Sequence, residues 1–97
     1  MQIHEFQSMM RQIYFHHDSC RGRNKTFEWL KEEVDELGEA LKENDRTALE
    51  NEFADVLAWL ASLANVATID LEKAALSKYD DKCPKCRKTR CECPFVK

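Results

Sequence analysis

The segment WLKEEVDELGEALKENDRTALENEFADVLAWLASLA, residues 29–64, decides the fold of this 97-residue chain. Apolar side chains recur every three or four positions on both sides of a break at Asn44 and Asp45, which is typical of two amphipathic helices. The apolar stripe before the break consists of Phe27, Leu30, Val34, Leu37 and Leu41. The wider apolar face after it, on a helix predicted for residues 47–67, consists of Leu49, Phe53, Val56, Leu57, Leu60, Leu63 and Ala64. A connection this short makes the two helices antiparallel neighbours.

Two further helices are predicted on either side of this pair. The same spacing predicts a first helix over residues 3–17. Residues 19–25 include glycine and asparagine and are predicted to form a loop, after which Thr26 would cap the second helix. Asp70 is predicted to cap a short fourth helix over residues 71–79.

The composition changes abruptly near residue 80. Two glycines and two prolines are few for a turn-rich β protein, so composition favours helices up to that point. The sequence DDKCPKCRKTRCECPFVK then follows, rich in cysteine and in basic residues. We therefore predict an all-α fold, with an antiparallel bundle of about four helices in residues 1–80 and a short Cys-rich C-terminal tail in residues 81–97.

The charge distribution narrows the classes of partner. The net charge of −3 combines a tail that carries six Lys/Arg and two Asp/Glu, formally +4, with −7 on residues 1–80. An acidic body repels nucleic acid and free nucleotide unless its carboxylates bind cations, so we do not expect nucleic acid as a partner. No apolar run approaches the roughly 18 residues that span a bilayer, and the N-terminal residues lack the apolar block of a signal peptide. We expect a soluble, cytoplasmic protein with no membrane partner.

Two carboxylate pairs are the strongest functional signal. Glu33 and Glu36 are spaced i, i+3 on the second helix, and Glu52 and Asp55 have the same spacing on the third. Each pair borders an apolar stripe rather than opposing it, because successive residues turn by about 100°. Antiparallel packing through these stripes would bring all four carboxylates together at the edge of the seam.

Four adjacent carboxylates predict a metal site. Like charges raise one another's pKa, and a hard divalent cation with oxygen ligands removes the conflict. Mg²⁺ keeps waters and binds substrate phosphates, which suits metal-assisted attack of water on phosphorus, with Glu32 placed to accept a proton or to orient that water. The pattern alone also allows another interpretation, in which these glutamates form solvated helix faces.

The acidic motifs resemble those of the MazG-like, all-α nucleotide pyrophosphohydrolase superfamily. Its signature is E-E-x-x-E followed, on the next helix, by E-x-x-D. Here the first motif occupies residues 32–36, fifteen residues intervene, and the second motif occupies residues 52–55. The resemblance extends from about residue 3 to residue 79 and includes TF-x-WL-x-EE before the first motif and DVL within and after the second. It implies that Glu33, Glu36, Glu52 and Asp55 bind Mg²⁺. With Glu32 adjacent in the same run, Glu32 and Glu33 are the predicted catalytic residues.

The resemblance also implies an activity and substrate contacts. Members hydrolyse nucleoside triphosphates, (d)NTP, to (d)NMP and pyrophosphate by cleaving between the α- and β-phosphates. They commonly carry a Lys, then an Asn and an Arg, after the last helix. Lys78 matches the first of these, whereas Asp81, Lys82 and Cys83 follow where the others would come. Trp59, one turn after Asp55, is a predicted base-stacking residue and is alternatively a partly buried core aromatic.

Four cysteines in the tail have metal-binding spacing. Cys83, Cys86, Cys91 and Cys93 form C-x-x-C-x4-C-x-C, and four thiolates within eleven residues can close a tetrahedral, structural Zn²⁺ site. Disulfides are disfavoured in a reducing cytoplasm, and an unligated tail or an iron–sulfur centre are further alternatives. The fifth cysteine, Cys20, is predicted to be an ordinary thiol.

The sequence leaves three functions open. The first is a general (d)NTP pyrophosphohydrolase, and the second is phosphoribosyl-ATP pyrophosphohydrolase, which shares the acidic motifs. The third is a non-catalytic interaction module that binds a partner through its zinc-tailed end. The wide apolar face of the third helix exceeds what one short bundle can cover, so a homodimer or homotetramer is expected.

Overall fold

The computed structural model describes residues 1–94, and within them the chain forms four α-helices. These are α1 (Ile3–Arg21), α2 (Arg23–Ala40), α3 (Arg46–Ala67) and α4 (Leu71–Lys78). No strand occurs in this part of the chain, so the predicted all-α class is confirmed. The last three residues of the predicted tail, 95–97, lie outside the described residues.

The second and third helices form the antiparallel pair that the sequence predicts. Asp45 caps α3, since its carboxylate accepts a hydrogen bond from the Ala48 amide at 3.1 Å. The helix ends at Thr68, which has a left-handed φ of 60°. The predicted cap of α4 is confirmed, because the Asp70 carboxylate accepts from the Lys73 amide at 3.0 Å. In the resulting bundle α3 is central, with α2 against one side of it and α1 against another.

The junction between α1 and α2 differs from the prediction. The predicted loop over residues 19–25 is wrong, because α1 continues to Arg21 and only Gly22 separates it from α2. Gly22 has a φ of 84°, a conformation that residues with a Cβ rarely adopt, so one glycine suffices to redirect the chain. Thr26 is therefore not a cap. It is fully buried one turn inside α2 and donates its hydroxyl to the Gly22 carbonyl at 2.7 Å.

A buried amide pair ties α1 to the turn between α3 and α4. The Gln7 side-chain nitrogen donates to the Asn65 side-chain oxygen at 3.0 Å and to the Ile69 carbonyl at 2.6 Å. The Asn65 side chain donates back to the Gln7 carbonyl, and the Leu71 amide donates to the Gln7 side-chain oxygen. Buried amides bonded on several sides hold the first helix in a specific register on the bundle.

The apolar core is thin. Of the residues described, four apolar side chains are buried, namely Met10, Ala40, Ala61 and Ala64. The accessible surface is 7753 Å², whereas a monomer of 11.4 kDa is expected to expose about 5,800 Å². The chain thus leaves much apolar helix surface uncovered.

Among the described helices, none alone is long and apolar enough to cross a membrane, and α3 with α4 passes that test only as a pair bent by 97°.

Candidate metal and substrate site

The α2–α3 pair brings three carboxylates together. Glu33 and Glu36 of α2 and Glu52 of α3 each offer an oxygen that lies within 4.8 Å of the other two. The i, i+3 spacing puts the two α2 glutamates on the same side of that helix. Glu33 and Glu52 are half-buried and Glu36 is exposed, so the cluster sits at the edge of the helix seam. We call these three residues the acidic cluster.

Burial and mutual repulsion disfavour the ionised form of the acidic cluster. The pKa of Glu33 is raised from 4.5 to about 7, first by burial and then by its hydrogen bond with Glu36. The negative charges of Glu36, Asp55 and Glu52 raise it further. The pKa of Glu52 is also raised, first by burial and then by the charges of Glu36 and Asp55.

Two oxygens of the acidic cluster have no hydrogen-bond partner. The Oε2 atoms of Glu33 and Glu52 are enclosed, and no described residue donates to either of them. Enclosed carboxylate oxygens without donors are costly, since they lose water and gain nothing in return. A hard divalent cation fits this donor set, because it takes oxygen ligands and offsets the negative charge.

Asp55, the fourth predicted ligand, lies beside the acidic cluster rather than within it. Its side chain is exposed on α3, and it is not among the residues whose oxygens lie within 4.8 Å of one another. Its charge nevertheless raises the pKa of both Glu33 and Glu52, so it is in electrostatic range of both. Asp55 also lines a neighbouring cavity, and it therefore connects the cluster with that cavity.

The cavity beside Asp55 has aromatic walls. Its volume is about 350 Å³, and helices α1, α2 and α3 all contribute to its lining. Trp29 of α2 and Trp59 of α3 meet edge to face there, with ring centroids 5.6 Å apart and an interplanar angle of 74°. Tyr14 and His17 of α1 also line it. Aromatic walls next to a carboxylate cluster that could hold a cation are suited to a ligand with a planar ring and an anionic group.

Arg21 contacts both tryptophans, and the sequence alone does not predict this contact. The Arg21 guanidinium lies 4.8 Å from the centroids of the Trp29 and Trp59 rings. It also donates to the Asp18 carboxylate at 2.9 Å and to the Thr26 hydroxyl at 3.2 Å. Asp18 is 2% exposed, so a buried carboxylate holds Arg21 in place. The i, i+3 spacing of Asp18 and Arg21 is the available signal in the sequence, but Asp18 lies just beyond the predicted first helix and Arg21 lies in the predicted loop.

Two predicted site residues lie away from the acidic cluster. Glu32 is exposed and lines a shallow cavity along α2 with Lys25, Trp29 and Asp35, so its role as proton acceptor stays a prediction. Lys78 is the last residue of α4 and is exposed, with its Nζ 5.6 Å from the centroid of the Tyr79 ring. It does not line the aromatic cavity, so its contact with substrate also stays a prediction.

The tail brings its four cysteines together. The sulfurs of Cys83, Cys86, Cys91 and Cys93 all lie within 4.8 Å of one another, an arrangement that can hold a metal ion. We call this group the thiolate cluster. Cys20 lies apart from it, exposed near the end of α1.

The raised pKa of Glu33 predicts how stability depends on pH when no metal is bound. The pKa of Glu33 in the folded protein, about 7, exceeds the ordinary glutamate value of 4.5, which applies to the unfolded chain. The protonated Glu33 side chain therefore stabilises the fold fully below pH 4.5, and this contribution is lost as the pH rises through about 7. The melting temperature in EDTA should fall across this range, and it should fall less steeply for Glu33→Gln. Glu39→Gln, at a 74% exposed position on the same helix, is the control and should follow the parent. Equal slopes for Glu33→Gln and the parent would contradict the assignment.

Comparison with known proteins gives one match that covers most of the chain. The family model described as the MazG nucleotide pyrophosphohydrolase domain matches residues 21–87. This range contains the acidic cluster, Asp55 and both tryptophans. No curated protein matches the chain significantly.

Proposed function

Since the chain belongs to the MazG nucleotide pyrophosphohydrolase domain family, we propose that it is a Mg²⁺-dependent enzyme that hydrolyses nucleoside triphosphates, (d)NTP, to (d)NMP and pyrophosphate. The observation that carries this proposal is the acidic cluster, with two enclosed oxygens that lack donors, next to an aromatic cavity. A surface of solvated glutamates would not enclose carboxylate oxygens in this way. The cluster therefore supports a cation-binding role.

The metal ligands in this proposal are Glu33, Glu36, Glu52 and Asp55, and Asp55 lies on the side that faces the cavity. Bound there, Mg²⁺ would neutralise phosphate charge and activate water for attack on phosphorus. The negatively charged glutamates would attract the cation. The bound cation would in turn attract the anionic nucleotide, which the acidic body alone would repel. The exposed position of Asp55 leaves room for ligands that come from water or phosphate.

The base-binding part of the site, in this proposal, is the aromatic cavity. Trp59 is half-buried and Trp29 is 38% exposed, so part of each ring is accessible to a ligand. Stacking of a base on an aromatic ring contributes about 1–3 kcal/mol and tolerates different bases. The Arg21 guanidinium, fixed by Asp18, adds a positive charge to the lining of the same cavity. This arrangement supports binding of a nucleotide without selecting one base.

The assembly in this proposal is a homodimer or a homotetramer. The chain exposes about 2,000 Å² more surface than a monomer of its mass should, by the scaling of surface with mass. A standard interface covers about 800 Å² on each partner, so the excess is large enough for a stable contact between two copies. Phe53, Leu57 and Leu60 are exposed along one stripe of α3 and supply an apolar surface for it.

The proposal is tested by measuring pyrophosphate release from a panel of nucleotides. The panel should contain standard and modified (d)NTPs and phosphoribosyl-ATP, each assayed with Mg²⁺ and with EDTA. We expect Mg²⁺-dependent release of pyrophosphate together with the nucleoside monophosphate. Turnover of phosphoribosyl-ATP alone would favour the alternative function, phosphoribosyl-ATP pyrophosphohydrolase. Absence of turnover on the whole panel, with weak and non-saturating Mg²⁺ binding, would favour a non-catalytic module.

A further inference from the structure

The thiolate cluster has the dimensions of a tetrahedral metal site. The sulfurs of Cys83 and Cys93 are 3.9 Å apart, and those of Cys86 and Cys91 are 4.0 Å apart. A zinc–sulfur distance of about 2.3 Å gives sulfur–sulfur edges of about 3.8 Å in a regular tetrahedron. Bonded sulfurs would be about 2.05 Å apart, and all four cysteines are free. The separations therefore fit four ligands around one ion.

The backbone of the tail supports this arrangement of sulfurs. The Cys83 amide donates to the Lys88 carbonyl at 2.9 Å, and the Arg87 amide donates to the Cys83 carbonyl at 2.8 Å. These two bonds close a tight turn, with Arg87 at a left-handed φ of 62°. The Glu92 amide approaches the Cys86 sulfur and the Cys93 amide approaches the Cys91 sulfur, both at 3.4 Å. Amide donors directed at sulfur stabilise thiolates in metal sites, because they offset negative charge on the ligand.

The tail has no apolar core that could hold the four sulfurs together. Between residue 80 and residue 94 the apolar side chains other than cysteine are Pro84 and Pro94. Fixing the backbone of each residue costs conformational entropy. Burial of so little apolar surface cannot offset this cost over a dozen residues. Metal binding can, because the free energy of binding to a site absent from the unfolded chain is also free energy of folding.

Ligand chemistry identifies the ion. Four thiolates are soft ligands that select zinc over magnesium, and a closed four-sulfur site leaves no open position for substrate. Four thiolates around Zn²⁺ carry a formal charge of −2, and five Lys/Arg residues between 82 and 90 lie close in sequence to offset it. We propose that residues 82–94 form a self-contained structural module around one Zn²⁺ bound by Cys83, Cys86, Cys91 and Cys93. The module is separate from the hydrolytic site, and it does not depend on the proposed activity.

Metal content of the full chain tests the module. The protein is purified under reducing conditions without a metal-binding tag, and zinc is measured by elemental analysis. We expect about one zinc per chain in the parent and none in the Cys86→Ser/Cys91→Ser double variant, which keeps only two ligands. Cys20→Ser removes the one cysteine outside the cluster and should keep the full zinc content. Substitution with Co²⁺ should give the intense absorption bands of a tetrahedral tetrathiolate site in the parent and in Cys20→Ser only.

Several results would overturn the module. The first is a protein in which the four tail cysteines form two disulfides and take up no zinc after the disulfides are reduced. The second is iron in place of zinc, and the third is an equal zinc content in the parent and the double variant. The claim that the module is separate from hydrolysis has its own test, in which residues 81–97 are deleted. The shortened chain should contain no zinc and should retain whatever Mg²⁺-dependent turnover the parent has. A shortened chain that is folded and assembled like the parent but has lost all turnover would place the tail in the hydrolytic site instead.

Discussion

Alanine at Glu36 or at Asp55 is expected to abolish Mg²⁺-dependent pyrophosphate release while the helical fold persists. Metal-ion stabilisation of the transition state contributes several kcal/mol, so loss of a ligand should lower kcat/KM by about 1,000-fold or more. Both side chains are exposed, and both carry negative charge toward Glu33 and Glu52. Removing either one therefore relieves repulsion and should not lower the melting temperature of the metal-free protein. Pyrophosphate release, Mg²⁺ titration and far-UV circular dichroism measure the three effects.

Matched controls exist on the same two helices. Glu39 on α2 and Glu50 on α3 are 74% and 70% exposed and form only surface ion pairs, with Lys42 and Arg46. Such pairs contribute little to stability, so Glu39→Ala and Glu50→Ala should keep both fold and turnover. Full activity in Asp55→Ala would contradict its assignment as a ligand. Equal loss in the control variants would show that the effect comes from general charge rather than from the acidic cluster.

The features of this fold that the sequence predicts are those set by local physics. The apolar stripes of α2 and α3 predict their packing, because helical periodicity is visible in a single sequence. The Asp70 cap is predicted because an aspartate directly before a helix can accept hydrogen bonds from the first amides of that helix. The grouping of Glu33, Glu36 and Glu52 then follows from spacing and antiparallel packing together.

The features that the sequence does not predict depend on contacts between distant residues or on a single backbone angle. A run with glycine and asparagine normally indicates a loop, yet Gly22 at a φ of 84° turns the chain by itself. The continuation of α1 to Arg21 then places Arg21, paired with Asp18, against Thr26 and the tryptophans, which helix spacing alone cannot reveal. Asp55 was expected inside the carboxylate group, but its position depends on how far α3 is rotated about its axis. Periodicity does not fix that rotation.

The exposed stripe of α3 predicts the second large effect, which is loss of assembly in Leu57→Asp. Leu57 is 47% exposed between Phe53 and Leu60, and an aspartate there would be buried without a partner in any contact that uses the stripe. An unpaired charge in an interface costs several kcal/mol, and each 1.4 kcal/mol weakens binding about tenfold. A dimer held at micromolar concentration would then dissociate. Sedimentation should give two or four times the chain mass of 11.4 kDa for the parent and one chain mass for Leu57→Asp.

Leu76→Asp is the control for assembly, because Leu76 is 63% exposed on α4, away from the α3 stripe. It adds the same charge, and it should sediment like the parent. A parent that sediments as a single chain at micromolar concentration would refute the assembly. A Leu57→Asp protein that stays assembled would instead show that the contact uses another surface, such as the exposed apolar stripe of Phe27, Val34 and Leu41 on α2. The core explains why the effect should be large. Because only four apolar side chains are buried among the described residues of one chain, the stability of the proposed assembly would depend on the surface that a second copy covers.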